Sequence, residues 1–347
     1  MHDPRPLGTL SVDLDDLWAY LKTQGDPGWE RYPSYLGQFV PAALEALNEV
    51  GISITIFCTG VDVAREENGR VFEALASSSH EIGNHSYSHQ SWLGHLPRQE
   101  LLQEIGQAED AIVMATGRRP VGFRAPSFSW SPALLALLAD RGYQYDASTF
   151  PTFFGPLLRA YYFRAASLTA EQREQCARLF GNFSDGLRPI APYNWVLPSG
   201  NRLLELPVTT FPIIRAPIHF SYLSYLGGFS ERLMMAYLWA ALKLCRAASI
   251  SPNYLLHPLD LLGGDEVPEL RFLPGMQAKG REKRRVFARV IRMLAQEFRL
   301  VPLAEQARLL TERGGLGEQR LTNPGSAADL PAETLGSFNR PSDWVVR

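Results

Sequence analysis

Six residues of reactive type stand in four separate places along this chain: Asp13 and Asp15, His85 and His89, Arg124, and His257. His85 and His89 are four apart, a spacing that puts two imidazoles on one face of a helical turn and lets them share a metal ion. A catalytic zinc site wants three protein ligands and an open position, so a carboxylate would complete the set. Asp13 and Asp15 are two apart. On an extended strand they point the same way, about 6–7 Å from each other. One can bind a cation while the other stays free beside it as a base. The plainer reading is two surface histidines in a polar loop, with Asp13, Asp15 and Asp16 forming an acidic turn that caps the next helix.

Arg124 ends a short apolar run, 121–123. A guanidinium shielded from water there needs a carboxylate partner, and Asp13 is one candidate. Otherwise it is an ordinary loop arginine. His257 ends the run 254–256 and precedes Pro258. Alone it reads as a hydrogen-bonded structural histidine; beside a developing oxyanion it is a general acid.

Each of these residues closes a strand-like segment. Residues 8–13, 52–58, 80–83, 121–124 and 143–146 are short and apolar or β-branched. Between them, 37–50, 62–77, 97–116 and 131–140 have helical spacing, with Asp62 and Ser131 as predicted caps. Strand–helix repetition of this kind predicts parallel strands with right-handed crossovers, hence a barrel or a doubly wound sheet, with the site at the carboxyl ends of the strands. Strands resume at 203–208, 253–257 and 300–303, and 281–298 is a basic amphipathic helix. Two insertions, about 151–202 and 212–250, interrupt the pattern. We expect one domain over 1–312 and a polar tail over 313–347.

The 347 residues carry 34 Lys and Arg against 36 Asp and Glu. That balance leaves no electrostatic footprint for nucleic acid. The three cysteines form no disulfide framework and no Cys-x-x-Cys pair. The amino terminus has no basic stretch followed by an apolar run, and the chain has no uncharged stretch long enough to span a bilayer. The expected location is therefore cytoplasmic. Aromatic residues crowd the insertions, among them Phe150, Phe153, Phe154, Tyr161, Tyr162, Phe163, Phe211, Phe220, Tyr222 and Tyr225. They allow peripheral membrane contact or self-association, although packing of the insertions onto the domain is the simpler expectation.

Five stretches in this order resemble the NodB-homology polysaccharide deacetylases of carbohydrate esterase family four. They are Ser11-Val12-Asp13-Leu14-Asp15, the ten residues from His80 to His89, Phe123-Arg124-Ala125-Pro126-Ser127, Tyr145-Asp146-Ala147-Ser148, and Leu255-Leu256-His257-Pro258. Thr55 to Gly60 also matches the family's second strand. The resemblance covers about 8–150 and 203–312. It implies a distorted (β/α)7-type barrel and one divalent metal, zinc first, with cobalt, nickel or manganese as alternatives. Carried onto this sequence, the ligands are Asp15, His85 and His89. Asp13 is the general base, Arg124 orients it, His257 is the general acid, and Asp146 holds His257. A register shift that makes Asp15 the base and Asp16 the ligand stays open.

The third stretch has Ser127 where the family has an aromatic, and the fourth lacks its tryptophan; Trp130 or Trp195 would supply that wall. Leu255 or Leu256 would line a slot for the acyl methyl, and a backbone amide near Ser127 would face the oxyanion. The implied reaction is removal of an N-acyl group from an amino sugar, in a glycan or a lipid-linked precursor. Hydrolysis of a non-sugar C–N bond, as in allantoinase-like or imidase-like proteins, and glycan binding without turnover are the alternatives.

Overall fold

The computed structural model describes residues 3–162, 183–228 and 230–321. Its first strand, β1 (Leu7–Asp13), shows how the site is aimed. Leu10, Val12 and, just beyond, Leu14 pack outward into the largest apolar cluster. Ser11 and Asp13 turn inward, where both meet Arg124. A period of two thus sorts core from chemistry within five residues.

Nine further strands follow: β2 (Thr55–Cys58), β3 (Glu81–Asn84), β4 (Gly122–Phe123), β5 (Tyr145–Asp146), β6 (Tyr193–Val196), β7 (Arg202–Glu205), β8 (Asn253–Leu256), β9 (Arg299–Val301) and β10 (Gly317–Arg320). The sheet runs β10-β6-β7-β5-β4-β3-β2-β1-β8, with β9 against the start of β1. From β7 to β8 this gives seven strands, all parallel. Only β6 is antiparallel to its neighbour β7. No ladder joins β7 to β8. Their gap is crossed by single contacts at Asn253, whose carbonyl accepts from Thr209 N–H at 3.0 Å. Its own N–H donates to Thr209 Oγ1 at 2.7 Å, and its side-chain amide donates to the Leu206 carbonyl at 2.9 Å. The expected α/β architecture is present, as a barrel-like sheet with one weakly bonded seam.

The described helices are α1 (Leu17–Thr23), α2 (Leu36–Val50), α3 (Gly60–Ala64), α4 (Gly69–Ala76), α5 (Arg98–Thr116), α6 (Pro132–Asp140), α7 (Gly155–Tyr162), α8 (Phe220–Gly227), α9 (Glu231–Ala247), α10 (Gly280–Glu297) and α11 (Leu303–Arg313). β4 and β5 are two residues long, so their ladders alone hold little. Burying each Leu or Val under the helices contributes about 1.5–3 kcal/mol, and that layer dominates. Ser131 caps α6 as predicted, accepting from Leu134 N–H at 3.2 Å. Asp62 does not cap; its carboxylate accepts from Trp18 Nε1 instead. The amino terminus of α11 closes the lower end of the barrel: Leu303 and Ala307 pack on Phe57 and Tyr145. The Leu303 and Ala304 amides donate to Thr55 and Glu81.

Four of the insertion aromatics face protein. Phe150 and Phe220 are buried, Phe153 stacks on Phe183 at 4.9 Å, and Phe211 on Tyr237 at 5.1 Å. The first insertion also supplies β6. Within the stretch expected as a tail, 317–320 form β10 and pair with β6; the rest of that stretch, from 322, lies outside the described residues, as does Phe163. No helix among the described residues is long and apolar enough to cross a membrane.

Candidate active site

Arg124, at the end of β4, is fully enclosed. Its Nη1 donates to Asp13 Oδ1 at 2.6 Å and to Ser11 Oγ at 2.9 Å, and its Nε to the Ala147 carbonyl at 3.0 Å. The guanidinium lies 4.4 Å from the centre of the Phe57 ring. Phe57 in turn needs Gly83 on the next strand, where any Cβ would come within 2.5 Å of the ring. The predicted carboxylate partner of Arg124 is therefore present. A buried pair of this kind holds geometry more than it adds stability.

Asp15, His85 and His89 converge: one ligand atom from each lies within 4.8 Å of the others. Asp15 Oδ1 is 3.3 Å from His85 Nε2 and 3.1 Å from His89 Nε2. The Arg124 carbonyl takes His85 Nδ1 at 2.7 Å, which places the His85 proton on Nδ1 and a lone pair on Nε2. A carboxylate oxygen facing that lone pair makes no hydrogen bond, and Asp15 Oδ1 is indeed buried without one. Two imidazole nitrogens and an orphaned carboxylate oxygen fit a divalent cation. Burial opposes charge on Asp15, but the two imidazoles, when they carry charge, hold its carboxyl well below the usual range. Burial lowers His85 while Asp13 and Asp15 raise it, with a net rise.

The two histidines converge without a helix. Residues 85–89 form an irregular turn in which Ser86 and His89 take left-handed backbone at φ 64° and 49°. Neighbours hold that strained shape. Glu104 of α5 accepts from the Tyr87 and Ser88 amides at 3.1 and 2.9 Å. The first amides of α3 donate to the Ser86 and Tyr87 carbonyls, both at 2.9 Å. The i, i+4 reading found the pair but assigned the wrong local geometry, because tertiary hydrogen bonds override the helical preference.

Asp16 is turned elsewhere. Its Oδ1 accepts from the Leu17 amide at 2.7 Å and the Tyr35 amide at 2.9 Å, capping α1. The converging group contains Asp15 and not Asp16, which favours the register with Asp15 as ligand. Burial pushes Asp16 up to about 6 and Asp62 well above its ordinary value.

His257 follows β8 on the inward side. Its backbone N–H donates to Asp260 Oδ2 at 2.8 Å, and its ring is 6.5 Å from that of His219. Asp146 accepts from Ser148 Oγ at 2.6 Å and faces Glu205 across the β5–β7 register. Burial raises Asp146 to about 6 and Glu205 well above its ordinary value. These neighbours make Asp146 and Glu205 a buried carboxyl pair, and the hydrogen bond found for the Asp146 side chain goes to Ser148.

Leu255 turns inward with Phe150 and Val208, whereas Leu256 packs into the outer core and lines nothing in the site. Ser127 adopts left-handed backbone at φ 53°. Trp130 stacks on Trp195 at 5.1 Å, with Arg188 over its face at 4.3 Å. Residues that motif reading passed over include Asn253, Glu104, Asp260 and His219. Asn253 and Asp260 carried a faint signal as polar residues flanking an apolar strand; Glu104 and His219 carried none.

Residues 26–145 match the family model described as polysaccharide deacetylase. That span holds His85, His89 and Arg124, and Asp13 and Asp15 precede it. The peptidoglycan deacetylase of Helicobacter pylori is 26% identical over 234 residues, 63% of this chain and 73% of that protein. A candidate polysaccharide deacetylase structure from Mycobacterium smegmatis superposes with a TM-score of 0.59 at 19% identity, covering 93% of this chain and 97% of the other. An allantoinase structure superposes with a TM-score of 0.52 at 15% identity, covering 88% and 94%. The same fold thus serves proteins named for different substrates, and the substrate has to be argued from the site.

Proposed function

We propose, because this chain belongs to the NodB-homology polysaccharide deacetylases of carbohydrate esterase family four, that it is a metal-dependent hydrolase. It would remove an N-acyl group, acetyl first, from an amino sugar in a glycan or a lipid-linked glycan precursor. The observation that carries this reading is the junction at Arg124, where one residue bonds both Asp13 and His85 beside the Asp15–His85–His89 group. An allantoinase-like reaction on a non-sugar C–N bond is the runner-up.

Asp15, His85 and His89 would hold one divalent cation, zinc first, which when bound supplies Lewis acidity and lowers the pKa of a water. Asp13 takes a proton from the attacking water, with Arg124 fixing which of its oxygens stays free. The backbone amide near Ser127 faces the oxyanion as it develops. His257 gives a proton to the departing amine nitrogen, so that it leaves neutral. Leu255 walls the space for the acyl methyl. Exposed Leu187, Ile213 and Ile214 on the insertions suit contact with a lipid surface if the sugar is lipid-linked.

The test is acetate release by zinc-loaded protein from N,N′-diacetylchitobiose, longer chitooligosaccharides, a peptidoglycan fragment and an acetylated sugar nucleotide, with purines and cyclic ureides run in parallel. Release from an amino sugar that Asp13→Asn abolishes, with metal still bound, is the expected result. Full turnover by Asp13→Asn removes the base assignment. Turnover of a ureide alone moves the protein to the runner-up. Glycan binding with neither metal nor turnover makes it a binding module.

A further inference from the structure

The insertion between β7 and β8 reaches the site through one buried carboxylate. Ser221, in the first turn of α8, donates from Oγ to Asp260 Oδ1 at 2.7 Å, and Asp260 Oδ2 accepts the backbone N–H of His257 at 2.8 Å. Asp260 therefore ties the insertion to the loop that carries the proposed acid. Tyr237 of α9 secures the approach to α8, donating to the Pro217 carbonyl at 3.1 Å.

His219 is delivered by that latch. Its ring lies 6.5 Å from His257, 5.5 Å from Phe150 and 6.0 Å from Tyr222, and Phe150 stacks on Phe128 at 4.9 Å. The residue keeps part of its surface, yet its Nδ1 is sealed and bonds nothing. Burial, with the neighbouring His257, pushes its imidazole down to about 3, so it is neutral at working pH. A neutral imidazole has one N–H and one lone pair. Orphaned buried N–H groups are the rarer kind, so the sealed Nδ1 carries the lone pair. Nε2 then carries the proton and is the ring's remaining polar atom.

We infer that His219 is a substrate-binding residue, donating from Nε2 to a hydroxyl of the amino sugar next to the group that His257 protonates. This rests on the deacetylase reading above. Phe128 and Tyr222, both half-buried, supply apolar surface for the sugar face with Phe150 packed behind them, and the neutral donor selects a hydroxyl rather than a charged group. The insertion thus sets which sugar the barrel accepts.

The experiment uses the full zinc-loaded chain, with the best amino-sugar substrate from the panel above and p-nitrophenyl acetate, an ester with no hydroxyl to bind. His219→Ala is expected to lower kcat/KM for the sugar relative to the ester about fivefold, the worth of one neutral hydrogen bond, chiefly through KM. His219→Gln, which restores a donor near the Nε2 position, should recover part of that ratio. An unchanged ratio in both variants, with wild-type protein deacetylating the sugar, overturns this inference alone. No acetate from any amino sugar with the wild-type protein overturns it together with the reading beneath it.

Discussion

Arg124 and His85 are joined through the Arg124 backbone: its carbonyl meets His85 Nδ1 at 2.7 Å, while its guanidinium donates to Asp13 Oδ1 at 2.6 Å. One residue thus fixes the tautomer of a proposed metal ligand with its main chain and the proposed base with its side chain. The two duties are separable, because a substitution at 124 removes the guanidinium and keeps the carbonyl.

Arg124→Met should therefore abolish acetate release and leave about one metal per chain. It strands the enclosed Asp13 carboxylate without its cation, so stability should fall by about 3–5 kcal/mol. Urea unfolding and metal analysis on the same preparation check this. Loss of metal along with the guanidinium would show that the His85 link depends on the side chain after all.

Asp15 and Asp16 are adjacent yet should respond differently. Asp15→Ala removes a ligand from the converging group, so it should lose metal stoichiometry and the rise in Tm that zinc gives to the wild-type protein. Asp16→Ala removes the cap of α1 and its bond to the Tyr35 amide. It should cost about 1–2 kcal/mol and keep the metal. Differential scanning calorimetry with and without a chelator separates the two; metal loss in Asp16→Ala alone would reverse the ligand assignment.

Much of this site was legible because its residues close strands whose alternation is plain: Ser11 and Asp13 against Leu10 and Val12, Leu255 against Leu256. Alternation also turns Leu255 inward and Leu256 into the outer core, in step with Asn253. Legibility ended where tertiary partners decide. The turn at 85–89 is shaped by Glu104 and α3, not by its own propensity. Asp146 meets Glu205 only because β7, which follows the first insertion in sequence, lies next to β5 in the sheet. His219 sits in an insertion with no motif, and tertiary contacts such as the Ser221–Asp260 bond bring it to His257.

The Asp146–Glu205 pair sets a pH dependence of definite sign. Burial raises Asp146 from 3.8 to about 6, so the folded state holds a proton that the unfolded chain gives up near 3.8. Stability from this group is present below that value and declines as pH rises through about 6. Glu205, raised further, acts in the same direction. Glu205→Gln removes one carboxyl of the pair and should flatten the decline between pH 4 and 7 in urea unfolding, measured on metal-free protein so that ligand protonation is common to both forms. An identical slope in the variant would show that the pair is not its source.

One side-chain amide links the barrel seam to the site. Asn253 is buried, donates to the Leu206 carbonyl at 2.9 Å, accepts from Ser11 Oγ at 3.2 Å, and holds its Oδ1 3.5 Å from Arg124 Nη2. Asn253→Ala leaves the Leu206 carbonyl and the Ser11 hydroxyl short of partners at about 1–3 kcal/mol each. It also removes a brace from the guanidinium that fixes Asp13. The expected result is a lower Tm with faster amide exchange at 206–210 and in β8, and a fall in kcat larger than any change in KM, because the proposed base is loosened while the sugar wall is kept. Thr209→Val, which cuts the seam without touching Arg124, should reproduce the exchange and spare kcat. Equal losses of kcat in the two variants would mean that the seam, and not the brace on Arg124, governs turnover.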